Sequence, residues 1–343
     1  MPTAPRAGRG RRLILVLSLL LPCAMAMALA CGAISLSPGE LWQGLAGTQD
    51  SQAQLIIQRI RLPRALLAAL MGATLAISGA AMQGLFRNPL ADPSLIGVTA
   101  GASLGASIMI VAGPDLTQGY VGLSLISIAA FIGGVVSVMV VYRLATSTSG
   151  TSVATMLLAG IAITALAGAL GSLMEFFADN EMLRRISLWR MGGLDGADLR
   201  RVLIATVITT ALLWALYSHA RDLNALLLGE SEARHLGIRV DRVKVALVVW
   251  VAVGVGTSVA LVGTIAFVGL VVPHIIRLFT GPDHTILLPA SALAGATLLV
   301  SADTLSRVVL APMELPVGII TALIGVPFFI SLLRRRHQFG MPT

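Results

Sequence analysis

Apolar runs of bilayer-crossing length alternate with short polar breaks along almost the whole chain. Windows of about 19 to 25 residues between the breaks predict ten spans, at roughly 13–34, 64–85, 93–112, 120–142, 152–177, 200–219, 243–261, 263–280, 287–306 and 316–333. The stretch Ser258 to Thr264 carries no charge. A break is nevertheless placed there, because Val243 to Thr280 is too long for a single crossing, even a tilted one. Gly84 to Ala106 is polar and punctuated by proline. It reads as a turn at a membrane face, with Asn88-Pro89 in the turn and Pro93 opening the next helix. The expected fold class is all-α, a polytopic membrane protein of about ten transmembrane helices. Residues 1–12 and 334–343 are expected as tails, 13–333 as one transmembrane domain, and 220–242 as its largest segment between spans.

Composition supports lipid as the solvent. Of 343 residues 56% are hydrophobic and only 12% charged, more apolar surface than one soluble core absorbs. Glycine is abundant at 35 residues while aromatics are 5%, which suits closely packed helices and not a barrel with aromatic girdles. The two cysteines, Cys23 and Cys31, share the first apolar run and have no redox or metal spacing.

Charge sets the orientation. With the N-terminus inside, fifteen of the 24 Lys and Arg lie on the cytoplasmic side, and both termini are expected there. The outside set is Arg59, Arg61, Arg64, Arg184, Arg185, Arg190, Arg200, Arg201 and Arg307. Such arginines either cap helix ends and snorkel to headgroups or form a cationic docking surface for an acidic partner. Arg9, Arg11 and Arg12 before an apolar run ending Ala28-Leu29-Ala30-Cys31 imitate a lipoprotein signal. Leu29 sits one place too close to Cys31, and the run is long for a signal core, so an uncleaved anchor is expected.

Several chemistries lack their residues. No GxxxxGK[ST] loop occurs, and the sole lysine, Lys244, is followed by valine, so ATP hydrolysis is expected on a separate subunit. The five histidines form no HExxH pair and no Cys/His cluster, and pairs such as Ser78-Gly79 fail the GxSxG pattern of a hydrolase nucleophile turn. No catalytic residue and no metal site is therefore assigned. The acidic residues within spans are Glu175 and Asp303, both near an outer end. An ion-coupled secondary transporter, which usually needs a midplane group, is thus the weaker alternative.

Between Ala220 and Arg242 lies Leu226-Leu227-Leu228-Gly229-Glu230-Ser231-Glu232-Ala233-Arg234-His235-Leu236-Gly237. Glu230 with Arg234 and Glu232 with His235 have helical spacing, and both glycines suit helix stops. The spacing fits a rigid knob for a soluble partner and an ordinary solvated loop helix equally.

From about Leu41 onward the chain resembles the iron-complex and vitamin B12 permease family of ATP-binding-cassette importers. The resemblance is carried by Arg61-Leu62-Pro63-Arg64, Ser78 to Gln83, Asn88 to Pro93 with Gly97, Trp189 with Met191-Gly192-Gly193, and Gly229 to Gly237. Gly269 to Ile275 with Arg277, and Glu314 to Gly318, extend it in the same order. The resemblance implies the type II importer fold. It also implies as partners a second permease subunit, expected as a homodimer, two ATPase subunits holding ATP and magnesium, and a periplasmic substrate-binding protein. Nucleic acid is not among them. Arg61, Arg64 and Arg307 match arginines that dock the binding protein, and Arg59 is an added candidate. Leu228, Gly229, Glu230, Glu232, Ala233, Arg234, Leu236 and Gly237 match a coupling helix seated in the ATPase. Asn88 and Leu90, with Ser152 and Val153 across the pathway, become candidates for a cytoplasmic gate.

The family's ligands are haem, ferric siderophores, cobalamin and related chelates. The runs Met82 to Asn88 and Gly229 to His235 look more like the haem branch, with cobalamin the alternative. Arg184 or Arg185 then becomes a candidate for attracting propionates, and Met174 a candidate pathway residue. The simpler reading of the same arginines, which the residues favour, is that they hold the helix before Trp189. The implied location is the bacterial inner membrane.

Overall fold

A computed structural model describes residues 5–32, 34, 36–46, 52–113, 119–147 and 150–338. Helix α1 (Pro5–Ala30) is followed by the short α2 (Pro38–Ala46). A continuous helical rod then runs from α3 (Gln52–Leu55) through a π-helical segment, Ile56–Arg61, into α4 (Leu62–Leu85). A 3₁₀ turn, Pro93–Ile96, leads into α5 (Val98–Ala112), and α6 (Gly119–Ala145) follows. The strands β1 (Thr146–Ser147) and β2 (Gly150–Thr151) make an antiparallel hairpin before α7 (Val153–Phe177). Next come α8 (Asn180–Met191), α9 (Leu199–Ser218), α10 (Ala220–Leu226), α11 (Glu230–His235) and α12 (Val240–Val262). The chain closes with α13 (Val268–Thr280), α14 (His284–Val308) and α15 (Val317–Gln338).

Among the described residues seven helices are long and apolar enough to cross a membrane, and α5, α13 and the apolar part of α15 are shorter. Together they occupy the positions of the ten expected spans. The rod through α4 is the axis of the bundle, with most of its crossing segment buried by neighbours. Small residues permit that packing. A methyl added to Gly72 would overlap the carbonyl of Gly295 on α14, and one on Gly79 would overlap the carbonyl of Gly269 on α13, so the backbones touch directly.

Two expected spans are corrected in shape. In the third, Pro93 opens only a single 3₁₀ turn capped by Asp92, and that turn lies inside the bundle and not at the membrane face. Gly269 sits between the Leu75 carbonyl and the Pro93 ring, and Leu75 lies about 15 Å before the end of α4 at 1.5 Å per residue. The chain after Asn88 therefore climbs back into the bundle as irregular backbone. It turns through Gly97 at φ 79° and begins α5 only then. The eighth span is likewise shortened: α12 stops at Val262, residues 263–267 are irregular, and Phe267 caps α13 at φ 69°. Irregular backbone at this depth is tolerated where protein buries it or a cavity borders it.

Candidate functional site

The face away from the chain termini carries a buried ionic network. Asp303 accepts from Arg64 Nε at 2.9 Å and lies 3.2 Å from Arg307 Nε, while Arg64 Nη1 reaches Glu314 at 2.6 Å. Arg307 also donates to the carbonyls of Cys31 and Ala28, at 3.2 and 3.0 Å. Arg61 donates to Leu29 and Ala30 at 2.7 and 2.9 Å, and to Ile34. Two guanidiniums thus satisfy the carbonyls at the C-terminus of α1, where a helix end has unpaired acceptors and partial negative charge.

The expected docking arginines are thus held largely within the chain. Arg61, Arg64 and Arg307 are 4%, 6% and 4% exposed and are engaged by this chain's own acceptors. Of the four expected docking arginines, Arg59 has an exposed side chain. It borders a cavity of about 440 Å³ with Gln58, Pro63, Asp198, Leu199 and Arg200.

On the opposite face, α10 and α11 form the expected knob. Asn224 on α10 donates to Asp283 at 2.7 Å and accepts from the His284 amide at 2.8 Å, which fixes α10 to the start of α14. Gly229 (φ 116°) opens α11, and Gly237 (φ 84°) follows its end. Ala233 is buried, whereas Leu228 and Leu236 are 66% and 64% exposed beside exposed Glu232 and Arg234. The expected Glu230–Arg234 pair is replaced: Glu230 binds Lys244 at 2.7 Å and Arg234 binds Asp241 at 3.1 Å. The cause is the buried Lys244 ammonium, 2% exposed, which requires an anion that only the half-buried Glu230 provides among the described residues.

The gate candidates sit at helix ends on this same face. Asn88 accepts from the Leu90 amide at 3.0 Å, closing a side-chain turn just past α4. Ser152 caps α7, accepting from the Thr155 amide at 3.3 Å. Asn88 and Ser152 are exposed, and Leu90 and Val153 are half-buried.

Near the far face, α8 carries Arg184, exposed, and Arg185, which lies 3.9 Å from Glu181 and borders a cavity of about 230 Å³ with Trp189 and Arg201. Met174 is half-buried, and its neighbour Glu175 pairs with Arg190 at 2.6 Å. Sequence reading missed two larger cavities. One of about 480 Å³ is bordered by Asp92, Ser94, Thr99 and Ser103 together with Thr264 to Phe267. Another of about 510 Å³ adjoins Met191, Gly318, Leu323 and Val326, and both share Arg190, Thr264 and Ala266. The first lies where both interrupted segments meet, and the second borders only the segment at 263–267. Their signal in the sequence was the uncharged break itself.

A bundle of crossing helices with interrupted spans, mostly apolar cavities and a rigid polar knob at one face defines a membrane transport component. The model of the FecCD transport family matches residues 18–335, and the chain belongs to that family. It is 43% identical over 330 residues to the hemin transport system permease protein HmuU of Yersinia pestis, covering 95% of this chain and 97% of that protein. It is 46% identical over 288 residues to the cobalamin import system permease protein BtuC of Halobacterium salinarum, covering 83% of this chain and 75% of that one. A solved metal-chelate type ABC transporter in an inward-facing conformation superposes with a TM-score of 0.84 at 32% identity, over 95% of this chain and 99% of that one.

Proposed function

We propose that this chain is the permease subunit of an ATP-driven importer that passes haem from a periplasmic binding protein to the cytoplasm. The observation that carries the reading is the near full-length similarity to a hemin permease. The chain would act as a homodimer in the bacterial inner membrane with both termini cytoplasmic, as the bias of Lys and Arg favours. ATP and magnesium would be held by two ATPase subunits seated on α10 and α11. ATPase closure would then switch the bundle between two packings by biasing a bistable element. Cobalamin is the second reading, favoured by the similarity to a cobalamin permease.

Reconstituted with its ATPase and binding protein, the chain is expected to take up hemin only with ATP, and to turn over no ATP alone. Uptake in ATP-free vesicles driven by a proton gradient would overturn this reading. Cobalamin uptake exceeding hemin uptake would reassign the ligand.

Docking of the binding protein is assigned to the face that carries Arg61, Arg64 and Arg307, where Arg59 and the neighbouring Arg200 are exposed on one cavity rim. Individual exposed pairs contribute about 0–1 kcal/mol. Arg59→Glu with Arg200→Glu, which also adds repulsion, is expected to lower the binding protein's apparent affinity about tenfold at low salt and to flatten its loss with salt. Wild-type affinity in that variant would move docking elsewhere on this face.

A further inference from the structure

Lys244 is the sole lysine of the chain, and its side chain is 2% exposed near the start of α12. Burying an ammonium is costly unless it is paired and its protons are bonded. Both conditions are met by groups from two other elements. Glu230 Oε1, on the first residue of α11, lies 2.7 Å from Nζ, and the Thr151 carbonyl accepts from Nζ at 2.7 Å. One ammonium therefore joins α11 to the β1–β2 hairpin.

The hairpin end of this link is stiff. The Ser152 amide bonds the Ala145 carbonyl at 2.9 Å, Thr146 Oγ1 donates to the Tyr142 carbonyl at 2.8 Å, and the Thr146 and Thr151 hydroxyls are 3.0 Å apart. Thr151 directly precedes Ser152, the cap of α7. The α11 end is stiff as well. Buried Ala233 seats the helix, and Arg234 reaches Asp241, one turn before Lys244 on α12, at 3.1 Å. Displacement of α11 thus reaches the first turn of α7 through a carboxylate, an ammonium and a carbonyl, with no flexible loop between.

We propose that Lys244 is a positioning residue for coupling, transmitting displacement of α11 to the start of α7 and so to the gate at Ser152 and Val153. This rests on the reading of α11 as the ATPase-docking element. It differs from that reading by assigning transmission to a side chain that the ATPase does not touch. A lysine kept only for stability would be equally served by an apolar residue of similar volume. A transmitting one would not.

The test measures hemin uptake and ATP hydrolysis together in proteoliposomes holding permease, ATPase and binding protein. Lys244→Met is expected to assemble with the ATPase and to lower hemin taken up per ATP hydrolysed about tenfold, within the range of coupling between sites. Lys244→Arg, which keeps the charge, is expected to recover most of that ratio. Glu230→Gln, at a half-exposed position, provides the second measurement if Lys244→Met does not assemble, and is expected to lower the ratio with Lys244 intact. The double variant is expected to be no worse than the worse single one, since both remove one link. A wild-type ratio in Glu230→Gln, or uptake and hydrolysis falling in equal proportion in the variants, would overturn the proposal. No ATP-driven uptake by the wild-type complex, with hemin or cobalamin, would instead reject the importer reading on which it rests.

Discussion

Asp303→Asn is expected to destabilise the purified permease by about 3–5 kcal/mol, the cost of removing one partner from a buried ion pair. Asp303 is 1% exposed and faces both Arg64 and Arg307. Neutralising it leaves two guanidiniums close together in a site with little water, one holding Glu314 and the other the carbonyls of α1. Their mutual repulsion is then unscreened, and the contact of α14 with the C-terminus of α1 loosens. Glu314→Gln is the control, because its side chain is 42% exposed and water replaces much of what it loses, so about 1 kcal/mol or less is expected. Denaturant titration in detergent compares the two. An Asp303→Asn midpoint indistinguishable from wild type would show that the arginines are held by the carbonyls alone.

Leu228→Asp with Leu236→Asp is expected to release the ATPase without unfolding the permease. Both leucines are nearly two-thirds exposed on a segment whose buried anchors, Ala233 and Leu226, are left intact. Apolar side chains offered at the centre of a polar knob are where binding energy concentrates, at about 2 kcal/mol or more for a hot spot, equivalent to roughly thirtyfold in affinity. Two buried carboxylates at such an interface add a desolvation cost. Co-purification of the ATPase with tagged permease would fall at least that far, while the permease's own unfolding midpoint stays near wild type. Unchanged co-purification would place the ATPase contact on another part of this face.

Spans of continuous apolar sequence were legible because lipid leaves few alternatives: a long run without charge either crosses or is buried. The knob at Gly229 to Gly237 was legible too, since its two glycines sit at positive φ where the chain must turn. The half-length helices were not. Hydropathy records which residues avoid water, and residues 93–97 and 263–267 are apolar enough to avoid it without continuing an α-helix. What breaks them is backbone geometry fixed by neighbours, such as Gly269 held against Leu75 and Pro93.

The outer arginines show the same division. Counting charges located an excess of arginine on that face but not the groups that hold each one. The partners that absorb Arg64 lie 239 and 250 positions away along the chain, beyond any pattern of local spacing. Glu230 and Arg234 have the spacing of a helical pair, yet each turns to α12 because a buried lysine and a neighbouring aspartate make better partners than one another's exposed side chains.

By itself, then, the sequence determined a ten-span helical membrane protein of the FecCD family, because periodicity, charge bias and ordered motifs are local properties of the chain. Tertiary structure alone decided which charges face outward and which are buried in pairs, where the spans are interrupted, and that one lysine joins α11 to the β1–β2 hairpin before α7. Those outcomes depend on groups far apart in sequence finding each other in a medium where an unpaired charge or an unbonded carbonyl is too costly to leave alone.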